Sequence, residues 1–300
     1  MASQNPISRR RFITQTTGAF ASARIASTSK AAVPDIPVIK HGRIRQSIMG
    51  WCFNPMPVME LARHCKAIGL VAMEGVGIKF YPQIRELGLD ISLVGSHGFA
   101  TGPVSIANHD YCRQILLERI DLAASIGANN VITFTGMSEP GISPEQGTKN
   151  CVSLWKSVMR HAESKNVHLS LEHLNSRDDS HPMKGHPGYF GDDVDFCVDL
   201  IKRVDSPNMK LLFDIYHVQV MNGDVIRRIR QYQDVIGHYH TAGNPGRGEL
   251  DEDQEINYPA ILRAILRTGY MGFVAQEFIP TWDDKIGALR HAAALCDVTI

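Results

Sequence analysis

The sequence predicts an α/β fold, a (β/α)8 barrel of the TIM type, on two observations. From about residue 44 a short apolar run, a polar turn and an amphipathic helical stretch alternate, eight times over. No shift in composition divides residues 40–300, so a single catalytic-sized domain is expected, and a barrel of this kind typically needs ~250 residues. Strands alternating with helices imply parallel β-α units, and eight of them imply closure into a ring rather than an open sheet.

The apolar runs fall near residues 44–50, 71–77, 91–97, 129–135, 168–174, 209–217, 235–241 and 272–279. Each is short and rich in β-branched residues or leucine, as strands buried on both faces should be. Helical periodicity is clearest at 106–126, with Ile115, Leu116, Ile120, Leu122 and Ala123 on one face. It recurs at 145–165, with Val152, Leu154, Trp155, Val158 and Met159. Gly69, Gly127 and Gly269 follow helical stretches, where a left-handed cap favours glycine. The longest irregular segment, 175–191 (NSRDDSHPMKGHPGYFG), follows the fifth strand. Loops at that end of a barrel form the active-site face, so it is expected to cover or shape a pocket.

Lys plus Arg and Asp plus Glu both total 31, for a formal net charge of zero. A nucleic-acid binder usually carries a basic excess, so no such partner is expected. The six cysteines, Cys52, Cys65, Cys112, Cys151, Cys197 and Cys296, contain no C-x-x-C pair. They give no zinc-ribbon or redox signature and are read mainly as buried small hydrophobes, with disulfide pairing left open. No stretch approaches the ~20 apolar residues needed to span a bilayer.

Charged and polar groups interrupt four consecutive strand candidates near their C-terminal ends. They are Glu172 in LSLEHLN, Asp214 in LLFDIYH, His240 in GHYHTAG and Glu277 in FVAQEF. On parallel strands of one barrel these four converge at its mouth. Three clustered carboxylates repel, and burying even one uncompensated charge costs several kcal/mol. One divalent cation resolves the conflict. Three oxygen donors and an imidazole suit Mn²⁺ or Mg²⁺ best, with Zn²⁺ or Co²⁺ also compatible. Glu74 and His97, at the ends of the second and third strands, are expected to face the same mouth. Trp51 is a candidate pocket wall, and His181 and His186 are loop candidates for substrate contact.

LSLEHLNSR with PGYF (187–190), FDIYHVQ (213–219), HTAGNPGRGE (240–249), EINYP (255–259) and GYMGFVAQEFIP (269–280) occur in this order and spacing. Together they resemble the xylose-isomerase-like barrel superfamily and, within it, the hydroxypyruvate isomerases. The likeness covers most of residues 45–297. It implies that Glu172, Asp214, His240 and Glu277 are metal ligands and that Glu172 and Glu277 are also the acid/base pair. It further implies that His217 and Arg247 contact substrate oxygens, for which a planar guanidinium facing a carboxylate is well suited. One departure stands out. Hydroxypyruvate isomerases can have Gln where this chain has His240, whereas the related ketose 3-epimerases have His.

The activity implied is interconversion of hydroxypyruvate and 2-hydroxy-3-oxopropanoate (tartronate semialdehyde), a proton transfer between adjacent carbons of a small hydroxy-carbonyl substrate. A ketose 3-epimerase or other sugar or cyclitol isomerase is the alternative. An endonuclease IV-like phosphodiesterase and a non-catalytic sugar-binding barrel are more distant ones. Homo-oligomerisation stays open.

Ser8-Arg9-Arg10-Arg11-Phe12-Ile13 resembles the twin-arginine export signal. A mildly apolar stretch with Ala21, Ala23 and Ala26 follows, offering cleavage sites. Residues 1–35 are therefore expected to be an export signal and linker, and the protein to be periplasmic or extracytoplasmic in a bacterium.

Overall fold

The computed structural model describes residues 36–300, which fall in one compact unit, Asp35–Ile300. The proposed export signal at residues 8–13 lies outside the described residues. The eight strands are β1 (Arg45–Ile48), β2 (Ala72–Met73), β3 (Asp90–Ile91), β4 (Asn130–Thr133), β5 (His168–Glu172), β6 (Met209–Asp214), β7 (Ile236–Thr241) and β8 (Phe273–Gln276). Each overlaps one of the eight apolar runs, β3 only at Ile91, the first residue of its run.

Six strands form a parallel sheet in the order β1-β8-β7-β6-β5-β4, and β2 pairs with β3. Two parallel bridges, Met49 with Glu74 and Val94 with Val131, join the pair to β1 on one side and β4 on the other. The ring is thereby closed in sequence order. β2 and β3 are only two residues long, much shorter than the apolar runs that predicted them. Their neighbours contribute single bridges instead of continuous ladders, and after β2 the chain bends at Gly75, where φ is 62°.

Helices cover the outside of the barrel. α1 (Val58–Ile68) ends at Gly69, whose φ of 103° needs a residue without Cβ, and α3 (His109–Ile126) ends likewise at Gly127. Between them lies the short α2 (Tyr81–Glu86). α4 (Pro144–Ser164) begins where Ser143 Oγ accepts the Gln146 N–H, with Pro144 in its first turn. It buries Cys151, Leu154, Trp155, Val158, Met159 and Ala162 against the strands. Each large apolar side chain so covered stabilises the fold by roughly 1.5–3 kcal/mol. α5 (Val194–Val204), α6 (Ile215–Met221), α7 (Val225–Tyr232), α8 (Tyr258–Arg267) and α9 (Lys285–Leu295) complete the shell.

The run 209–217 divides differently from its apolar pattern. Strand β6 stops at Asp214, whose Oδ1 accepts the His217 N–H at 3.0 Å and starts α6. His217 therefore lies on a helical turn, not on a strand. All six cysteines are free and buried. No helix among the described residues is long and apolar enough to cross a membrane.

Candidate metal centre and its cavity

The parallel register brings the strand-end groups together. β6 and β7 pair Asp214 with His240, and β5 and β6 set Glu172 beside Leu212. Glu277 follows β8 directly, its N–H held by the Thr241 carbonyl at 2.9 Å. One donor atom from each of Glu172, Asp214, His240 and Glu277 lies within 4.8 Å of the others, and all four residues are buried. His240 Nδ1 is 2.6 Å from Glu277 Oε2, 3.1 Å from Glu172 Oε1 and 4.0 Å from Asp214 Oδ2.

The donor set fits a divalent cation. Glu277 Oε2 sits close to nitrogens of His240 and Arg247, yet accepts no aligned hydrogen bond from either. A buried carboxylate oxygen in that condition calls for another positive partner. The protonation equilibria are strained in the same sense. Burial, aided by Glu277, raises the Glu172 carboxyl, and burial pushes Asp214 up to about 7. Burial also acts to raise Glu277, but Arg247 and His240 outweigh it and hold that carboxyl down at about 2. Burial acts to lower the His240 imidazolium, but Glu277, Glu172 and Glu74 carry it well above its ordinary value. Three carboxylates thus share one fixed cation, Arg247.

Arg247 is buried, so its ion pairs lie inside the barrel mouth and not on the surface. The tight turn between Gly243 and Gly248 returns it to the site, and a Cβ at Gly243 would meet the Glu249 carbonyl oxygen at 2.1 Å. Arg247 itself has a φ of 54°, a left-handed conformation that costs a non-glycine residue about 1 kcal/mol or more. Its Nη2 lies 2.7 Å from Glu277 Oε2 and 3.5 Å from Asp214 Oδ2. Nη1 donates to the Met183 carbonyl and so ties the 175–191 loop to the site, while Nε has no partner.

His217 is the second expected substrate group. The Asn175 backbone N–H donates to its Nδ1 at 3.1 Å, so the ring proton belongs on Nε2. Burial first, and then Arg247, push its pKa well down, which keeps the ring neutral. Nε2 is fully buried without a hydrogen-bond partner, 3.7 Å from Asp214 Oδ2. A neutral N–H donor is thereby left beside the quartet.

A cavity of about 220 Å³ opens onto Glu172, Glu277 and Arg247. Its opposite wall is built from Phe99, Phe134, Leu93 and Ile132, with Trp51 and His186 also lining it. His186 stacks on Phe99 at 4.0 Å between ring centroids, and its backbone N–H is fixed by the Asn175 carbonyl. His181, offered by the same loop, is exposed, and its Nδ1 accepts the Met183 N–H in a local turn; it is not brought to the site. His97 lines the cavity, but its Nε2 is 3.0 Å from Thr133 Oγ1 and its Nδ1 is 3.3 Å from the Gly98 carbonyl. Burial pushes its pKa down to about 4. Glu74, expected at the mouth, lies on the far side of His240, with Oε1 2.7 Å from Nε2. Phe99, Phe134 and Met183 are cavity residues that the strand-end pattern does not reveal.

Residues 74–295 match the model of the xylose isomerase-like TIM barrel family, and the chain belongs to that family. Hydroxypyruvate isomerase from Escherichia coli is 28% identical over 193 residues, 64% of this chain and 70% of the relative. A human protein provisionally given the same name is 36% identical over 101 residues, 34% of this chain. That alignment spans about a third of the human relative's length, 36%. Among solved structures, an AP endonuclease of family 2 from Brucella melitensis superposes with a TM-score of 0.70 at 23% identity, covering 82% of this chain and 96% of that one.

Proposed function

We propose that this protein is a divalent-metal-dependent isomerase of short hydroxy-carbonyl acids, interconverting hydroxypyruvate and 2-hydroxy-3-oxopropanoate. The observation that carries the reading is the convergence of Glu172, Asp214, His240 and Glu277 within 4.8 Å of one another, with Glu172 and Glu277 lining a small cavity. The same activity is named for the Escherichia coli relative.

A cation held by the four would polarise the substrate oxygens that exchange roles. Glu172 and Glu277 border the cavity and act on the carbon-bound protons. One removes a proton from C3, which carries the hydroxyl, the other delivers a proton to C2, the former carbonyl carbon, and the hydroxyl proton passes from O3 to O2. General acid/base work of this kind contributes typically ~10²–10⁴ in rate. Arg247 meets the substrate carboxylate, and the His217 Nε2–H donates to a substrate oxygen. The loop tied down by Arg247 and His217 is placed to exclude water from these transfers.

The far wall bears on substrate size. Ser96 Oγ donates to the Ile132 carbonyl and both His97 nitrogens are engaged, so apart from His186 that wall offers apolar surface. A ketohexose placed there would strand hydroxyls at roughly 1–3 kcal/mol each. A three- or four-carbon acid leaves none over. His240 favours the second reading, a ketose 3-epimerase, because those enzymes carry His at this position. A phosphodiesterase with several zinc ions is the weaker reading, because the formal net charge is zero and the four candidate ligands come from the ends of β5 to β8; more than one tightly bound metal per chain would revive it.

The discriminating experiment is an NMR screen of the Mn²⁺-supplemented enzyme against hydroxypyruvate, tartronate semialdehyde and common ketoses. Turnover of the three-carbon pair supports the proposal, and turnover of ketoses alone transfers the site to the epimerase reading. The motif at residues 8–13 supports a further proposal, export in folded form. Replacing Arg9 and Arg10 with Lys is expected to retain the full-length protein in the cytoplasm. Equal fractionation of the variant and the original would refute it.

A further inference from the structure

Behind His240, inside the barrel, lies a polar group that the four-ligand reading leaves unexplained. Glu74 follows β2 and is fully buried, its backbone locked to β1 by Glu74 N–H to Ile48 O and Gly50 N–H to Glu74 O, both 2.8 Å. Its Oε1 lies 2.7 Å from His240 Nε2. Its Oε2 accepts from Ser92 Oγ and lies 2.9 Å from His238 Nε2, out of line for a hydrogen bond. No Arg or Lys is within ion-pairing distance of it among the described residues.

A lone carboxylate in this place is costly, and an apolar side chain would fill the same space without that cost. What the carboxylate supplies is direction. An ionised carboxylate only accepts, so Nε2 of His240 donates to it, and Nδ1 is the ring nitrogen turned toward the quartet. Nδ1 lies 2.6 Å from Glu277 Oε2 and 3.1 Å from Glu172 Oε1, where a cation held among them would take the place of its proton.

We propose that Glu74 is a positioning residue of the metal centre: anchored by Ser92, it holds His240 as the Nε2–H tautomer and aims Nδ1 at the cation. The inference rests on the quartet being a metal centre. It extends the site from four strand ends to the second and third strands, through a residue that touches neither metal nor substrate. Partners of this kind typically change metal affinity by about 10–100-fold when removed.

The test uses metal-stripped protein in four forms: original, Glu74→Gln, His240→Gln and the double variant. Each is titrated with Mn²⁺ by calorimetry, with a thermal melt of the stripped protein as a check on folding. Glu74→Gln is expected to weaken Mn²⁺ binding about 10–100-fold in the original background. With His240 already replaced, it is expected to change binding by no more than about two-fold, because the ring it orients is gone. Equal losses in both backgrounds, or no loss in either, would overturn the proposal. Should Glu74→Gln not fold, ¹⁵N-histidine NMR of the Zn²⁺-loaded original protein decides instead. Nε2 protonated and Nδ1 coordinated supports the proposal, and the reverse overturns it. Failure of the original protein to bind Mn²⁺ or Zn²⁺ at all refutes the metal centre itself, and this inference with it.

Discussion

The strand ends from β5 to β8 carry Glu172, Asp214, His240 and Glu277, whereas the side from β2 to β4 presents Leu93, Ile132 and Phe134, joined by Phe99 from the loop after β3. The two sides are also built differently. β5, β6 and β7 run five to six residues, with β8 four, and they pair at three or four positions each, with one bulge between β6 and β7, while β2 and β3 run two residues and meet their outer neighbours through single bridges. In the proposed reading, charged groups that share one cation need positions fixed to a fraction of an ångström, and the longer strand ladders supply that. A wall that confines a small substrate needs shape and dryness, and short strands with loop aromatics suffice. On the proposed reading, chemistry and fit fall to opposite sides of one cavity.

Substitutions should separate the two sides. Glu172→Gln and Glu277→Gln are expected to lower kcat by about 10³-fold or more, since each removes a proton-transfer group. Steady-state assays at saturating Mn²⁺ check this, and most activity retained with metal still bound would take that residue out of the acid/base role. On the wall, Phe99→Ala removes a half-buried ring that stacks on His186. It is expected to raise KM about ten-fold, with kcat changed less than about three-fold, as for a contact made equally to ground and transition states. A loss confined to kcat would place Phe99 in the chemistry and break the division.

The smallest effect concerns pH. Burial pushes His97 down to about 4, whereas the unfolded chain titrates near 6.5. Between these values the unfolded state binds more protons, so the stability that His97 contributes is full above about 6.5 and is lost as pH falls through about 4. His97→Gln is therefore expected to show a smaller drop in Tm between pH 7 and pH 5 than the original. An unchanged drop would mean that His97 does not sense acid in this range.

The charged side was the more legible in sequence, for a physical reason. A carboxylate at the end of a Leu-, Ile- or Val-rich strand violates the burial rule so plainly that four in succession point to one cause. Glu74 was visible in VAMEG as well. Its two-residue strand offers no alternation from which to read a direction, and so it was expected at the mouth and not behind His240. His217 continued an apolar run and read as strand, and only the Asp214 cap turns it onto α6. The wall was least legible. An aromatic residue after a strand looks the same whether it packs in a core or faces a ligand. His181 and His186 share one loop, and the hydrogen bond from the His186 N–H to the Asn175 carbonyl helps hold one of them inward.

The most direct test of the charged side is ¹H NMR of hydroxypyruvate incubated with the protein, once stripped by chelator and once reloaded with Mn²⁺. The account predicts 2-hydroxy-3-oxopropanoate from the reloaded sample and none from the stripped one. Equal conversion in both samples, or no conversion of any short hydroxy-carbonyl acid by protein that demonstrably holds the cation, would contradict it.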